Sequence, residues 1–112
     1  MIAIDFDGVL HAYTSWNDGK LNGPIPGARA FVEEILEQGL DAAVFTTRNA
    51  QQVEQWLNLY NFPPLMVTHE KLGMFHVFLD DRAFRFDGEF NNIKQLVNEL
   101  RCFKPHWKKD NV

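Results

Sequence analysis

Acids, hydroxyls and bases recur in this chain directly after short apolar runs, and that placement suggests chemistry. Ile2, Ala3 and Ile4 run straight into Asp5-Phe6-Asp7-Gly8. An apolar run broken by acids and a glycine reads as a buried strand giving way to a tight loop. Two carboxylates then stand at the carboxyl end of a strand, where open α/β sheets bind their ligands. Residues two apart on a strand share a face. Asp5 and Asp7 therefore converge on one cation if the chain stays extended, and take different roles if it coils. The pattern repeats: Ala42 to Phe45 leads into Thr46, Thr47, Arg48 and Asn49, Leu65 to Val67 into Thr68, His69, Glu70 and Lys71, and Val77 to Leu79 into Asp80, Asp81 and Arg82.

Gathered at one rim, these endings supply the acids Asp5, Asp7, Asp80 and Asp81, a hydroxyl from Thr46 or Thr47, and the ammonium of Lys71. Crowded carboxylates repel one another, and a divalent cation relieves the repulsion most simply. With oxygen ligands and no Cys or His at ligand spacing, Mg²⁺ is the expected ion and zinc is not. Thr and Lys are poor Mg²⁺ ligands but bind phosphoryl oxygens, so the set suits phosphoryl transfer. Arg48 and Arg82, just past strand ends, can clamp a substrate phosphate or pair with the acids.

The elements that must position these groups follow from periodicity. Residues 11 to 23, polar and glycine-punctuated, read as a flap over the first loop. Its His11, Tyr13 and Trp16 either stack on a base or sugar or pack the flap against the body. Ala28, Phe31, Val32, Ile35 and Leu36 follow one face of a helix closed by Gly39. Asn49 caps a second helix, with Gln52 reaching back and Val53, Trp56, Leu57 and Tyr60 facing inward. Ala83 to Phe86 suggest a small fifth or edge strand before Asp87-Gly88. Ile93, Leu96, Val97 and Leu100 mark a last helix, and a C-terminal tail, 104 to 112, follows, basic over 104 to 109. His69, His76 and His106 read as structural or solvent-facing. Strands alternating with helices give right-handed parallel βαβ units. The expected fold is α/β, a three-layer α/β/α sandwich on a parallel Rossmann-like sheet, formed by residues 1 to 112 as one domain.

Composition narrows the classes. The chain has 112 residues, 46% hydrophobic and 23% charged, ordinary values for a folded domain that leave no room for an added lid domain. A net charge of -4 gives no general footprint for nucleic acid or anionic membrane. The tail pattern Lys104-Pro105-His106-Trp107-Lys108-Lys109 is compatible with local nucleic-acid contact but reads better as a solvated or partner-bound end. The lone Cys102 reads as a small buried residue of a reducing compartment. No apolar run approaches spanning length, and the first strand begins at residue 2, so no membrane association and a cytoplasmic location are expected.

The order of motifs resembles the haloacid dehalogenase-like (HAD) phosphatases. Asp5-Phe6-Asp7-Gly8-Val9 is similar to their first motif, Thr46 after Val44-Phe45 to the second, Lys71 to the third and Asp80-Asp81 to the fourth. The resemblance implies that Asp5 is a nucleophile forming an aspartyl-phosphate and that Asp7 protonates the leaving oxygen. Thr46 and Lys71 would hold phosphoryl oxygens. Asp80 and Asp81, with Asp5 and the backbone carbonyl of Asp7, would hold Mg²⁺. A neighbouring Asp5 is expected to raise one pKa of the Asp5/Asp7 pair and so keep Asp7 protonated part of the time. Lys71 departs from the pattern in lacking the proline often seen after it.

The resemblance also implies a capless form, since only the flap 11–23 follows the first motif. An open site of that kind goes with large substrates or with a cap contributed by another subunit of a homo-oligomer. The expected substrate is a phosphomonoester, a small molecule or a nucleic-acid end, because the chain also looks similar to the phosphatase half of polynucleotide kinase-phosphatases. Two other classes compete. One is a catalytically silent scaffold of the same fold; the other is a phosphate-responsive module like response-regulator receivers, whose motif order differs, because here the second acid pair follows Lys71.

Overall fold

The computed structural model describes residues 1–108; Lys109 and the remaining end of the expected tail lie outside the described residues. The element order is β1 (Ile2–Asp5), α1 (Ala28–Glu37), β2 (Ala42–Phe45), α2 (Ala50–Leu59), β3 (Met66–Thr68), β4 (Val77–Leu79) and α3 (Ile93–Cys102), with one 3-10 turn at Asn17–Gly19 in the flap. All strand pairings are parallel, in the order β3-β2-β1-β4. Every strand therefore ends at the same rim, and the four polar endings meet there as expected.

Local sequence explains the helix bounds. Asn49 Oδ1 accepts the backbone N–H of Gln52 at 3.1 Å and starts α2. At the end of α1, Gly39 takes a φ of 78°, and its N–H and that of Leu40 return to the carbonyls of Leu36 and Ile35 at 3.0 and 3.1 Å. This is a Schellman closure, which favours glycine at that position. Asn61, with a φ of 60°, serves the same purpose after α2, and Phe62 folds back into the core.

One face of the sheet holds the main core. Ile4, Ala42 and Val44 pack with Ala28, Val32 and Ile35 of α1 and with Val53, Trp56 and Leu57 of α2. Phe6 and Leu10, fully buried, join this core from the loop after β1, so the backbone that carries the first acids is anchored on both sides of Asp7.

The opposite face is covered differently from the expectation. Ala3, Ala43 and Phe75 form a second core with Leu72, Phe45 and Phe78 packed around it. The connection between β3 and β4 supplies Leu72 and Phe75, and no helix lies there. Among the described residues no strand or helix packs against α3, whose Ile93, Val97 and Leu100 are half exposed or more. The fold is a small α/β one on a four-stranded parallel sheet, and α3 does not cover that sheet. The radius of gyration, 15.7 Å, exceeds the roughly 13 Å of a compact domain of this length. The expected strand at 83–86 is also absent among the described residues: Arg82 N–H bonds to Asp80 Oδ1 at 2.8 Å, turning the chain off the edge of β4 before a new strand can pair. Cys102, expected to be buried, is exposed on α3.

Candidate active site at the carboxyl rim of the sheet

The strand order creates a switch point. From β1 the chain moves to β2 and β3 on one side, whereas β4 pairs on the other side of β1. In open α/β sheets the crevice beside such a reversal is where ligands bind. Asp5 ends β1 and Asp80 and Asp81 follow β4, so the acids flank this crevice.

Oxygens of Asp5, Asp80 and Asp81 all lie within 4.8 Å of one another. Burial, the hydrogen bond to Asp81 and the negative charges of Asp80 and Asp81 push the Asp5 carboxyl up to about 8, against a weaker opposing hydrogen bond from the Phe6 N–H. Burial also acts to raise Asp81, but hydrogen bonds from Asp5 and from the Trp107 indole outweigh it and hold Asp81 below the usual carboxylate range. The two carboxyls share a hydrogen bond, and burial with the neighbouring negative charge makes Asp5 the raised member of the pair. Asp81 Oδ1 is buried and has no hydrogen-bond partner among the described residues.

Gly8 makes this proximity possible. It adopts a φ of 84°, and a Cβ placed on it would lie 2.7 Å from Asp81 Cγ and 3.0 Å from Trp107 Cδ1. The glycine of the first motif therefore serves close approach as well as turn formation.

Asp7 points to a different set of partners. Arg48 Nε donates to both of its oxygens at 2.9 and 2.7 Å, and His11 Nδ1 lies 2.8 Å from Oδ1. The N–H of Asn22 donates to His11 Nε2 at 2.7 Å, which fixes the proton on Nδ1, facing Asp7. Burial alone would raise Asp7, but the hydrogen bonds from His11 and Arg48 and the charge of Arg48 hold it below the usual carboxylate range. The expectation for this pair is therefore reversed: the raised carboxyl is Asp5. The Asp7 side chain is also outside the acidic trio, its oxygens being taken by Arg48 and His11.

The flap is tied to this network. His11 is buried and stacks on Phe6, with centroids 5.2 Å apart. Trp56 Nε1 donates to the Asn22 carbonyl at 2.8 Å, Gln52 Nε2 to the Gly19 carbonyl at 3.2 Å, and the Arg48 guanidinium lies 4.7 Å from the Trp16 ring centre. Gln52 thus reaches the flap and does not turn back to its own helix start. His11 packs into the body, whereas Trp16 stays 59% exposed with one face against Arg48.

The remaining predicted residues divide. Thr46 is buried, and its Oγ1 accepts the Arg48 N–H at 3.2 Å, while Thr47 is exposed. Lys71 Nζ stands 5.1 Å from the centre of the Phe78 ring. Phe78 pairs with Ala3, so Lys71 lies on the sheet face that carries Asp5, and among the described residues it forms no ion pair. The guanidinium of Arg82 likewise meets no acid among the described residues.

Sequence reasoning missed the tail. His106 Nε2 donates to the Gly8 carbonyl at 2.6 Å, and Trp107 Nε1 donates to Asp81 Oδ2. The Tyr13 ring stands edge-on to Trp107, with centroids 4.7 Å apart. A signal existed in the sequence, since an indole within a basic tail is a single donor on a large apolar body, but nothing in its spacing revealed its target.

The trio fits a hard divalent cation: its donors are carboxylate oxygens only, and one of them is buried without a partner. Comparison with known proteins adds the fold alone. No family model and no curated protein matches the chain. A solved structure described as a conserved protein coded by a locus from Bacteroides thetaiotaomicron is similar, with a TM-score of 0.56, 16% identity, and coverage of 89% of this chain and 88% of that one.

Proposed function

We propose that this chain is a Mg²⁺-dependent phosphohydrolase of HAD type that cleaves phosphomonoesters through Asp5. The observation that carries the reading is the meeting of Asp5 with Asp80 and Asp81 across the switch point, with one oxygen left without a donor. Asp5, Asp80 and Asp81 would hold Mg²⁺. The ion would supply positive charge to the carboxylates and to the phosphoryl oxygens, in the manner that makes electrostatic stabilisation a leading catalytic contribution.

The chain's own residues then have separable tasks. Asp5 attacks phosphorus once its shared proton has left; a P–O bond forms to Asp5 and the bond to the leaving oxygen breaks. Lys71, on the same sheet face and unpaired among the described residues, can swing its flexible stem to the transferring phosphoryl group. The exposed Thr47 hydroxyl is better placed than the buried Thr46 to meet a phosphate. Asp7, ionised between Arg48 and His11, is poised as the base that takes a proton from the water hydrolysing phospho-Asp5. That proton then serves the leaving oxygen of the next cycle. The open rim, bordered by a short flap, suits a phosphate at the end of a small molecule, nucleotide or nucleic acid.

Asp5→Asn is expected to abolish Mg²⁺-dependent hydrolysis of para-nitrophenyl phosphate while circular dichroism stays unchanged. Turnover retained by this variant rejects the mechanism.

A further inference from the structure

We infer that Trp107 is a positioning residue for Asp81, so that the C-terminal tail builds part of the cation site. The inference rests on the proposed cation-holding role of Asp5, Asp80 and Asp81. Trp107 Nε1 donates to Asp81 Oδ2, leaving Oδ1 as the buried oxygen without a partner. Fixing one oxygen fixes the plane of the carboxylate, and an oxygen of Asp81 lies within 4.8 Å of oxygens of Asp5 and Asp80. Donors of this kind orient metal ligands and tune their basicity.

Independent contacts hold the indole in place. The Tyr13 ring packs edge-on against it from the flap, Gly8 leaves the space that its Cδ1 fills, and the neighbouring His106 pins the tail to the Gly8 carbonyl at 2.6 Å. Pro105, buried, fixes the turn into this contact. The first and last stretches of the sequence thereby form one small assembly: the tail reads the glycine of the first motif and the second acid of the fourth. Among the described residues no strand or helix packs against α3, and the tail contacts at the rim return the end of the described chain to the sheet.

The test is calorimetric titration of Mg²⁺ into the intact protein and four variants, with thermal melting run alongside. Trp107→Phe keeps an aromatic body and loses the donor; it is expected to bind Mg²⁺ about 10- to 100-fold more weakly. Asp81→Asn should weaken binding at least as much. His106→Ala, at an exposed position, loosens the tail without touching the acids and should weaken binding several-fold; His106→Gln, which keeps a donor, should restore it. If Trp107→Phe fails to fold, the His106 pair carries the test. Affinity unchanged in Trp107→Phe or in His106→Ala, with Asp81→Asn impaired, overturns this inference and leaves the proposed site standing. No Mg²⁺ binding by the unaltered protein overturns both.

Discussion

Asp5 and Asp7 are two residues apart at the end of the same strand, yet they meet opposite surroundings. On the flap side, Asp7 is paired with Arg48 and His11 inside a closed network that extends to Asn22, Gly19 and Gln52. On the β4 side, Asp5 faces Asp80 and Asp81, and among the described residues no cationic side chain pairs with any of these acids. One side neutralises its charge internally and holds Asp7 ionised. The other retains an excess of negative charge, which is the state that a cation-dependent site requires before it is loaded.

The largest effect on stability should come from breaking the closed side. Arg48 is 5% exposed, so Arg48→Ala removes the cation beside Asp7 and the contacts of the β2–α2 loop with Gly19 and Trp16 of the flap. The expected cost is about 3–5 kcal/mol, measured by urea denaturation. Arg48→Lys should recover little, because an ammonium cannot reproduce the fixed guanidinium geometry.

The two sides should also respond to pH with opposite sign. Asp5 in the folded protein is raised to about 8 from an ordinary value of 3.8, so the folded state binds more protons than the unfolded state between those limits. Without Mg²⁺, its contribution is fully favourable below pH of about 4 and is lost as pH rises toward about 8. Asp7 is lowered, so its contribution is present above the unfolded carboxylate range and is lost as pH falls below it. Asp5→Asn should therefore raise the melting temperature of the Mg²⁺-free protein at pH 8 relative to wild type and flatten the neutral-pH dependence. Mg²⁺ should stabilise wild type more at pH 8 than at pH 5. A melting temperature lowered at pH 8 by Asp5→Asn contradicts the contrast.

Between the two acids lies Gly8. Gly8→Ala combines a positive φ with a clash against Asp81, and should cost about 1–3 kcal/mol while weakening Mg²⁺ binding. Seeing the stability loss without a change in Mg²⁺ affinity would show that the close approach matters to the turn alone. The smallest effect belongs to the outer edge of the closed side: Gln52→Ala removes the bond to the Gly19 carbonyl and should cost about 0.5–1.5 kcal/mol, with catalysis unchanged.

Much of the frame was legible from the order of residues. β2 and β4 occupy the predicted runs, and Asn49 and Gly39 end helices as their chemistry dictates. The gathering of acids at one rim followed from strands alternating with helices. The division of labour between Asp5 and Asp7 was not legible, because it depends on Arg48 reaching 41 positions back along the chain and on a histidine tautomer fixed by Asn22. Sequence placed Arg48 at a strand end without saying which acid it would meet. For α3 the periodic stripe revealed an amphipathic helix, but a stripe says nothing about what lies opposite it. Trp107 was hidden for a related reason: its role is set by the path of the tail, which no local pattern encodes.

The claim most open to decision is that Asp5 carries the phosphoryl group. Acid-quenching the protein during turnover of a phosphomonoester with Mg²⁺, followed by peptide mass spectrometry, reads this directly. A covalent route predicts one phosphate mass on the peptide containing Asp5, absent in Asp5→Asn; sustained turnover with that peptide unmodified, or with the phosphate on another residue, contradicts it.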